Sequence, residues 1–597
     1  MRDILDCTKL KFSFFISIIL IICLASGFIF PGIAEACSCV YAGKDITADN
    51  KSIIARSSDS HPPNSIAVVE NHPRLENQPG RVLAATENNF KYNLPDTTYE
   101  YFTTPSDSSN EAGIYGAVAT NEYGLCCSGT VTCYSSPEIY QADPLCKDAG
   151  FLEELFADVV CSSCKTAREA VELVGKIIDQ NGVRKVHSVL IADQEETWLM
   201  EWYSGHQWGA LKLPNDKMCA FGNQFMIQTE YVGLDSDNFI HSENLFTMPT
   251  NAGLAVLKNG NMSLAETYSG KDRLWDYANL RTYMLHYYFS PSTAGKYDTH
   301  KRYDLFFTPD EKISLDKMFN AFRYRYEGTE YCPDTNGSDS TRVVGSETQI
   351  TVHVVQIDSE APQQLAETAW VTNAASEHSV FLPYSNILSK FCKYYTDTSK
   401  WTNADKEYLE EKKPEGSLKW YNQESAPVCF ARLANLAEQN RTVYGEGVRA
   451  FWHNKEINLI EEYDKVYKHA LELYEKSPQD AKNYMNDWLV NLQVSTLAEC
   501  NSMYDELTWF VSEHNDTMKY EISYDKLTLG PERNTTAETF TPQMVFYDKY
   551  MNQYNDEENT IVFKVNKIGF YVGASLILIA IISALAIYAK KRKSNRD

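Results

Sequence analysis

Residues 12–33 form an apolar run ending in Ala34-Glu35-Ala36-Cys37-Ser38-Cys39, behind an amino terminus that carries Arg2, Lys9 and Lys11. A charged start, an apolar stretch and an Ala-x-Ala sequence are the pattern of a cleaved export signal. Removal of residues 1–36 would leave Cys37 first, with a thiol and a free α-amine on one residue. An α-amine has an ordinary pKa of about 7.7–8.0, so it can take a proton from its own thiol near neutral pH. Two other readings stay open. The run is long enough to serve as an uncleaved signal anchor, and a mature N-terminal cysteine can be only half of a disulfide.

The opposite end is as constraining. Residues 568–589 are apolar and uncharged, and Lys590-Lys591-Arg592-Lys593 follow at once. Positive charge marks the cytoplasmic side. The expected arrangement is a single-pass type I membrane protein whose bulk is extracellular or luminal, at the cell surface or in a vesicular, lysosome-like compartment. Sequons at Asn261, Asn336, Asn440, Asn515 and Asn534 agree with that side of the membrane in a host that glycosylates. Of 15 cysteines, Cys7 and Cys23 fall in the signal. Setting these and Cys37 aside leaves an even number, enough for up to six disulfides in an oxidising compartment. Cys161-Ser162-Ser163-Cys164 lacks the second cysteine pair or spaced histidines that would complete a zinc site, so it reads as disulfide-forming. A formal net charge of −25 excludes nucleic acid as a partner, because that role needs basic patches.

Between the ends, short β-rich runs alternate with helical patterns, which predicts an α+β domain. Residues 37–43 and 52–56 flank Asp49-Asn50 and read as a hairpin that brings Arg56 back beside Cys37. Residues 189–192, 197–203, 208–213 and 349–357 read as further strands. Thr166-Ala167-Arg168-Glu169 is a capping box, and Ala167, Ala170, Val171, Val174, Ile177 and Ile178 form one helical face closed by Gly182. Residues 426–513 carry helical periodicity. The chain therefore divides into a signal peptide (1–36), a main domain (37–390) and a helical region (391–514). An acidic stalk (515–566), a transmembrane helix (567–589) and a basic tail (590–597) complete it.

Arg56 and Asp59 stand at Arg-x-x-Asp spacing. A guanidinium near Cys37 would favour its thiolate and a carboxylate could hold the α-amine, or the two could form an ordinary surface salt bridge. Asn121, in Asn121-Glu-Tyr-Gly-Leu125, and Asn223, in Gly222-Asn-Gln224, each place a side-chain amide near glycine. Such amides can line an oxyanion hole or simply close a turn.

Taken in order, Cys37-Ser-Cys-Val-Tyr-Ala-Gly-Lys44 and Ile54-Ala-Arg-Ser-Ser-Asp59 resemble the start of the cysteine dipeptidases of peptidase family C69. These are N-terminal-nucleophile (Ntn) hydrolases related to bile salt hydrolases and penicillin V acylases. The resemblance continues through Ala119-Thr-Asn-Glu-Tyr-Gly-Leu125, Asp143-Pro-Leu145, Lys165-Thr-Ala-Arg-Glu-Ala-Val-Glu-Leu173, Gly205-His-Gln-Trp208 and Asn223-Gln224. Tyr326-Glu-Gly-Thr329, Thr351-Val-His-Val-Val-Gln356 and residues 370–383 are also similar, so the likeness spans about residues 37–390.

That resemblance implies a four-layer αββα Ntn sandwich with Cys37 as nucleophile and its α-amine as base. Arg56 and Asp59 match the family's Arg and Asp, Asn121 and Asn223 its asparagines around the oxyanion and nucleophile, and Arg281 is the candidate for a further arginine. It implies no metal and no cofactor. His206 and His353 sit in shared motifs as structural or substrate-facing residues. Cys39 departs from the family pattern and competes with Cys37. The implied activity is hydrolysis of dipeptides by a membrane-anchored enzyme, and a homo-oligomer is compatible with the chain. The alternatives are an amidase acting on small non-peptide N-acyl amides, and an inactive surface adhesin or receptor.

Overall fold

A computed structural model describes residues 37–59, 65–108, 114–228, 237–270, 276–336, 341–396 and 425–513. Among them, two large antiparallel sheets stack face to face. The six-stranded sheet runs in the order Met218–Phe221, Cys39–Ala42, Ser52–Asp59, Gln349–Ile357, Glu367–Val371 and Leu382–Ser385. The nine-stranded sheet runs from Phe239–His241 through Trp208–Lys212, Thr197–Trp202, His187–Ala192, Cys126–Thr132 and Ile114–Asn121 to Tyr101–Ser108. That last strand pairs with both Ser65–Ala67 and Glu70–His72.

The alternation of strand residues decides what each sheet face meets. Val189, Ile191, Trp198, Met200 and Trp202 join a core beneath the helices Phe156–Ser163 and Ala167–Asn181. Leu190, Ala192 and Leu199 turn the other way, into the core shared with the six-stranded sheet. Thr166 caps the second helix by accepting from the Glu169 backbone N–H at 3.2 Å, and Gly182 ends it at φ +67°. A residue with a Cβ would be strained at that angle.

The six-stranded sheet is covered by the helix Asp276–Phe289 near Met218–Phe221 and, at its other end, by the helices Ala426–Glu438, Glu446–Tyr474 and Pro478–Glu513. Tyr463 packs edge-on against Trp370 at 5.3 Å between ring centroids, and its hydroxyl hydrogen-bonds Thr368 at 2.8 Å. Arg323 grips the buried Glu456 with two hydrogen bonds of 2.6 and 2.8 Å. Such charge-assisted pairing satisfies a carboxylate that would otherwise be costly to bury. The helical region is thus part of the outer layer, and the architecture is αββα.

One sequence expectation changes here. All thirteen cysteines among the described residues are free thiols, so the expected disulfides are absent among them. Even the Cys127 and Cys161 sulfurs stand 4.0 Å apart, about twice an S–S bond. Most of these cysteines are buried as small apolar side chains, and an even count does not distinguish that use from pairing. The signal (1–36), the stalk and the 568–589 segment lie outside the described residues, among which no helix is long and apolar enough to cross a membrane.

Gly175 gives a test of the outer layer. A Cβ there would meet the Trp208 indole at 2.2 Å, and that indole is pinned by its Nε1 donating to Asp179 at 2.8 Å. Gly→Ala in a helix normally gains about 0.5–1 kcal/mol, whereas overpacking costs about 1–3 kcal/mol. Gly175→Ala is expected to lower stability in urea unfolding, the opposite of its helix-propensity effect.

Candidate active site

The hairpin places Cys39 across from Arg56, and Arg56 across from His353 on its other side. Arg56 is fully buried, and its Nη2 donates to the Cys37 sulfur at 3.2 Å. A cation at that distance stabilises a thiolate. The backbone just beyond Cys37 is held twice. Ser38 N–H donates to Ser57 Oγ at 3.0 Å, and Ser57 N–H donates to the Ser38 carbonyl at 3.0 Å.

Arg281, buried on the helix Asp276–Phe289, approaches from the outer layer. Its Nη1 donates to the Cys37 carbonyl at 2.5 Å and to Ser38 Oγ at 3.1 Å, and its Nη2 donates to Asn223 Oδ1 at 2.7 Å. The Asn223 Nδ2 donates to the Thr132 carbonyl at 2.9 Å. Gly222 permits this approach, since a Cβ there would lie 2.9 Å from the Ala278 carbonyl and 3.2 Å from the Arg281 guanidinium carbon. Cys37, Arg56, Asn223 and Arg281 therefore form one buried cluster, and the buried Asp59 lies within reach of the charges of Arg281 and Arg56.

Asn121 does not join them. Its Nδ2 donates to the Cys161 and Cys164 carbonyls at 3.0 and 2.8 Å, and its Oδ1 accepts from the Tyr123 and Leu125 N–H groups at 3.0 and 3.2 Å. Those four bonds close the turn through Gly124 (φ +70°) and tie it to the end of the helix Phe156–Ser163. An amide beside a glycine reads alike in sequence whether it lines a site or saturates its own turn, and here it does the second.

Two contributors have no motif. Thr132 acts through its carbonyl, which any residue supplies. Glu201, buried on the inner face of Thr197–Trp202, accepts from the Met226 N–H at 2.7 Å and the Ile227 N–H at 3.3 Å. It thereby anchors the segment that carries Asn223, and the one signal of it was a lone carboxylate inside an apolar strand. His353 is buried and hydrogen-bonds Ser128 Oγ at 2.8 Å across the two sheets. Burial pushes the Cys39 thiol up to about 12 against the pull of Arg56, so it stays protonated at neutral pH. Among the described residues, Glu377, His378 and Glu438 could together hold a metal. Arg441 already pairs with both carboxylates, which makes this an ion-pair network.

Burial raises Asp59 to about 7 from an ordinary 3.8, against the opposing pull of Arg281, the Ser57 hydroxyl and Arg56. With the folded value above the unfolded one, this contribution to stability is fully present below about pH 4 and is lost as the pH rises through about 7. Asparagine has no such proton to lose. Asp59→Asn is expected to be more stable than the parent at pH 8, by a few kcal/mol at about 1.4 kcal/mol per pKa unit. The gap should close near pH 4. Urea unfolding at both pH values checks this, and an equal gap at both would contradict it.

Comparison with known proteins places this geometry in context. The model of peptidase family C69 matches residues 36–413. A probable dipeptidase B of Streptococcus pyogenes serotype M1 is 25% identical over 480 residues, covering 77% of this chain and 90% of that protein. A probable dipeptidase of Salmonella dublin is 29% identical over 354 residues, covering 58% of this chain and 80% of its own. Among solved structures, a mutant conjugated bile acid hydrolase from Clostridium perfringens aligns at 12% identity with a TM-score of 0.28, covering 59% of this chain and 92% of that one. The family match extends over more than half of the sequence and begins one residue before Cys37, and on that basis the chain belongs to peptidase family C69.

Proposed function

We propose that this chain is a cysteine dipeptidase whose nucleophile is Cys37, activated when cleavage after Ala36 frees its α-amine, and that residues 568–589 hold it on the exoplasmic side of a membrane. The observation that carries the reading is the pairing of the Cys37 sulfur with the buried Arg56 while Arg281 fixes the carbonyl of the same residue. A guanidinium at each end leaves the nucleophile little freedom, which is the positioning an attack geometry requires. Relatives named as dipeptidases support the substrate class.

In this mechanism the thiol proton passes to the α-amine as the sulfur bonds to the scissile carbonyl carbon and the π pair moves to oxygen. Asn223 Nδ2 carries two hydrogens. One goes to the Thr132 carbonyl, and the other serves the oxyanion. Collapse breaks the C–N bond, and the leaving amine takes the proton from the α-ammonium. Water then attacks the thioester, gives a proton to the α-amine and releases the sulfur. Asp59, beside both arginines, steadies the amine and its cationic surroundings.

Cys37→Ala is expected to lower dipeptide turnover by more than about 10³-fold, while Cys39→Ser keeps most of it. One residue added before Cys37 turns the amine into an amide and should abolish turnover in a folded protein. Full activity in that variant would overturn the mechanism. Thiol alkylation should inactivate and chelators should not. A dipeptide panel that gives no amino acids while simple N-acyl amides are cleaved would replace the substrate class. Protease added to intact cells should digest the domain at 37–515, and protection of that domain would overturn the exoplasmic placement.

A further inference from the structure

A second cysteine meets a histidine and a carboxylate at the loop between the strands Thr197–Trp202 and Trp208–Lys212. The Cys146 sulfur lies 3.7 Å from His206 Nε2, and His206 Nδ1 lies 2.9 Å from Asp143 Oδ1. Asp143 is buried and held rigidly. Its Oδ2 accepts from Ser204 Oγ and from the His206 N–H, each at 2.6 Å. A carboxylate that accepts from Nδ1–H fixes the tautomer whose Nε2 lone pair faces the sulfur. Nucleophile, base and orienting group thus stand in the order of a thiol triad.

Asp143 and Cys146 share one segment and His206 comes from another, and backbone bonds through Val183 stitch the two together. Cys146 N–H donates to the Val183 carbonyl at 2.9 Å, Val183 N–H to the Gly205 carbonyl at 2.8 Å, and Gly205 N–H to the Asp143 carbonyl at 3.2 Å. Two glycines make the approach feasible. A Cβ at Gly182 would stand 2.4 Å from the Cys146 sulfur, and one at Gly205 would stand 2.1 Å from the Pro144 carbonyl oxygen. The site is also open. The His206 side chain is 41% exposed, and Cys146 is partly exposed where the other described cysteines are buried.

We propose that Cys146, with His206 as base and Asp143 as its orienting group, is a second nucleophilic site that exchanges with small disulfides. The sulfur attacks one sulfur of the disulfide as its proton passes to His206 Nε2. The S–S bond breaks, a mixed disulfide forms on Cys146, and the departing thiolate takes the proton from the imidazolium. No net oxidation occurs, so the small disulfide is the one co-reactant required. Burial and the Asp143 carboxylate push the Cys146 thiol above its ordinary value, so the base acts during attack and does not hold a preformed thiolate. The inference does not depend on the Cys37 reaction.

The test uses the full chain carrying Cys37→Ser and an aromatic disulfide whose released thiol is coloured. One equivalent should be released in a fast phase, with the adduct mapped by mass spectrometry to Cys146. Cys146→Ser should remove that phase, and His206→Gln should slow it at least 10-fold, within the range expected for a positioned base. His206→Asn is the second variant should the first fail to fold, with circular dichroism reporting the fold of each. A fast phase that survives Cys146→Ser, or a rate unchanged in the histidine variants, would overturn the proposal.

Discussion

The guanidinium of Arg281 is the interaction on which the arrangement around Cys37 depends. It is buried, it comes from the outer helical layer, and it reaches the Cys37 carbonyl, the Ser38 hydroxyl and the Asn223 amide. Two segments distant in sequence, at 37–38 and at 223, are thereby fixed to one planar, rigid donor set, which a flexible lysine ammonium could not reproduce. Gly222 is the counterpart of that reach, because its missing side chain lets the loop lie against the helix. Removing the guanidinium would leave the buried Cys37 carbonyl and Asn223 amide oxygen short of a donor, the costly kind of loss in a protein interior.

The space between the sheets is unusually rich in titratable groups. Asp59 and Glu201 are raised to about 7 and Glu367 to about 8, each chiefly by burial, while burial drives His353 down. A core optimised only for stability would hold apolar side chains at such positions. Here the polar groups have positional tasks. Glu201 pins the loop that carries Asn223, and His353 bridges to Ser128 in the facing sheet. Arg56 lies between Cys39 and His353 in register, so its charge is directed at Cys37 by strand pairing.

Local elements were legible in the sequence where local chemistry decides them. The Asp49-Asn50 turn gives the hairpin, with Asn50 in the left-handed region at φ +57°, and pairing then sets Arg56 near the first residue. The Thr166 cap and the Gly182 stop mark a helix by the same local logic. Where the Asn121 amide goes was not legible, because its partners, the Cys161 and Cys164 carbonyls, are some forty residues away. Glu201 acts on backbone N–H groups and Thr132 through its backbone carbonyl, and neither kind of contact leaves a sequence pattern.

By itself, then, the sequence determined the family, the alternation of strands and helices, and the chemical identity of Cys37 with Arg56 and Asp59 close behind it. These follow from periodicity, capping and short spacing, which a linear chain displays directly. Only the tertiary structure decided that Arg281 closes the cluster while Asn121 stays outside it, that thirteen cysteines remain thiols, and that Cys146 meets His206 across sixty residues. Such contacts are set by how sheets stack and loops return. That geometry depends on the packing of the whole chain, and no local stretch of sequence encodes it.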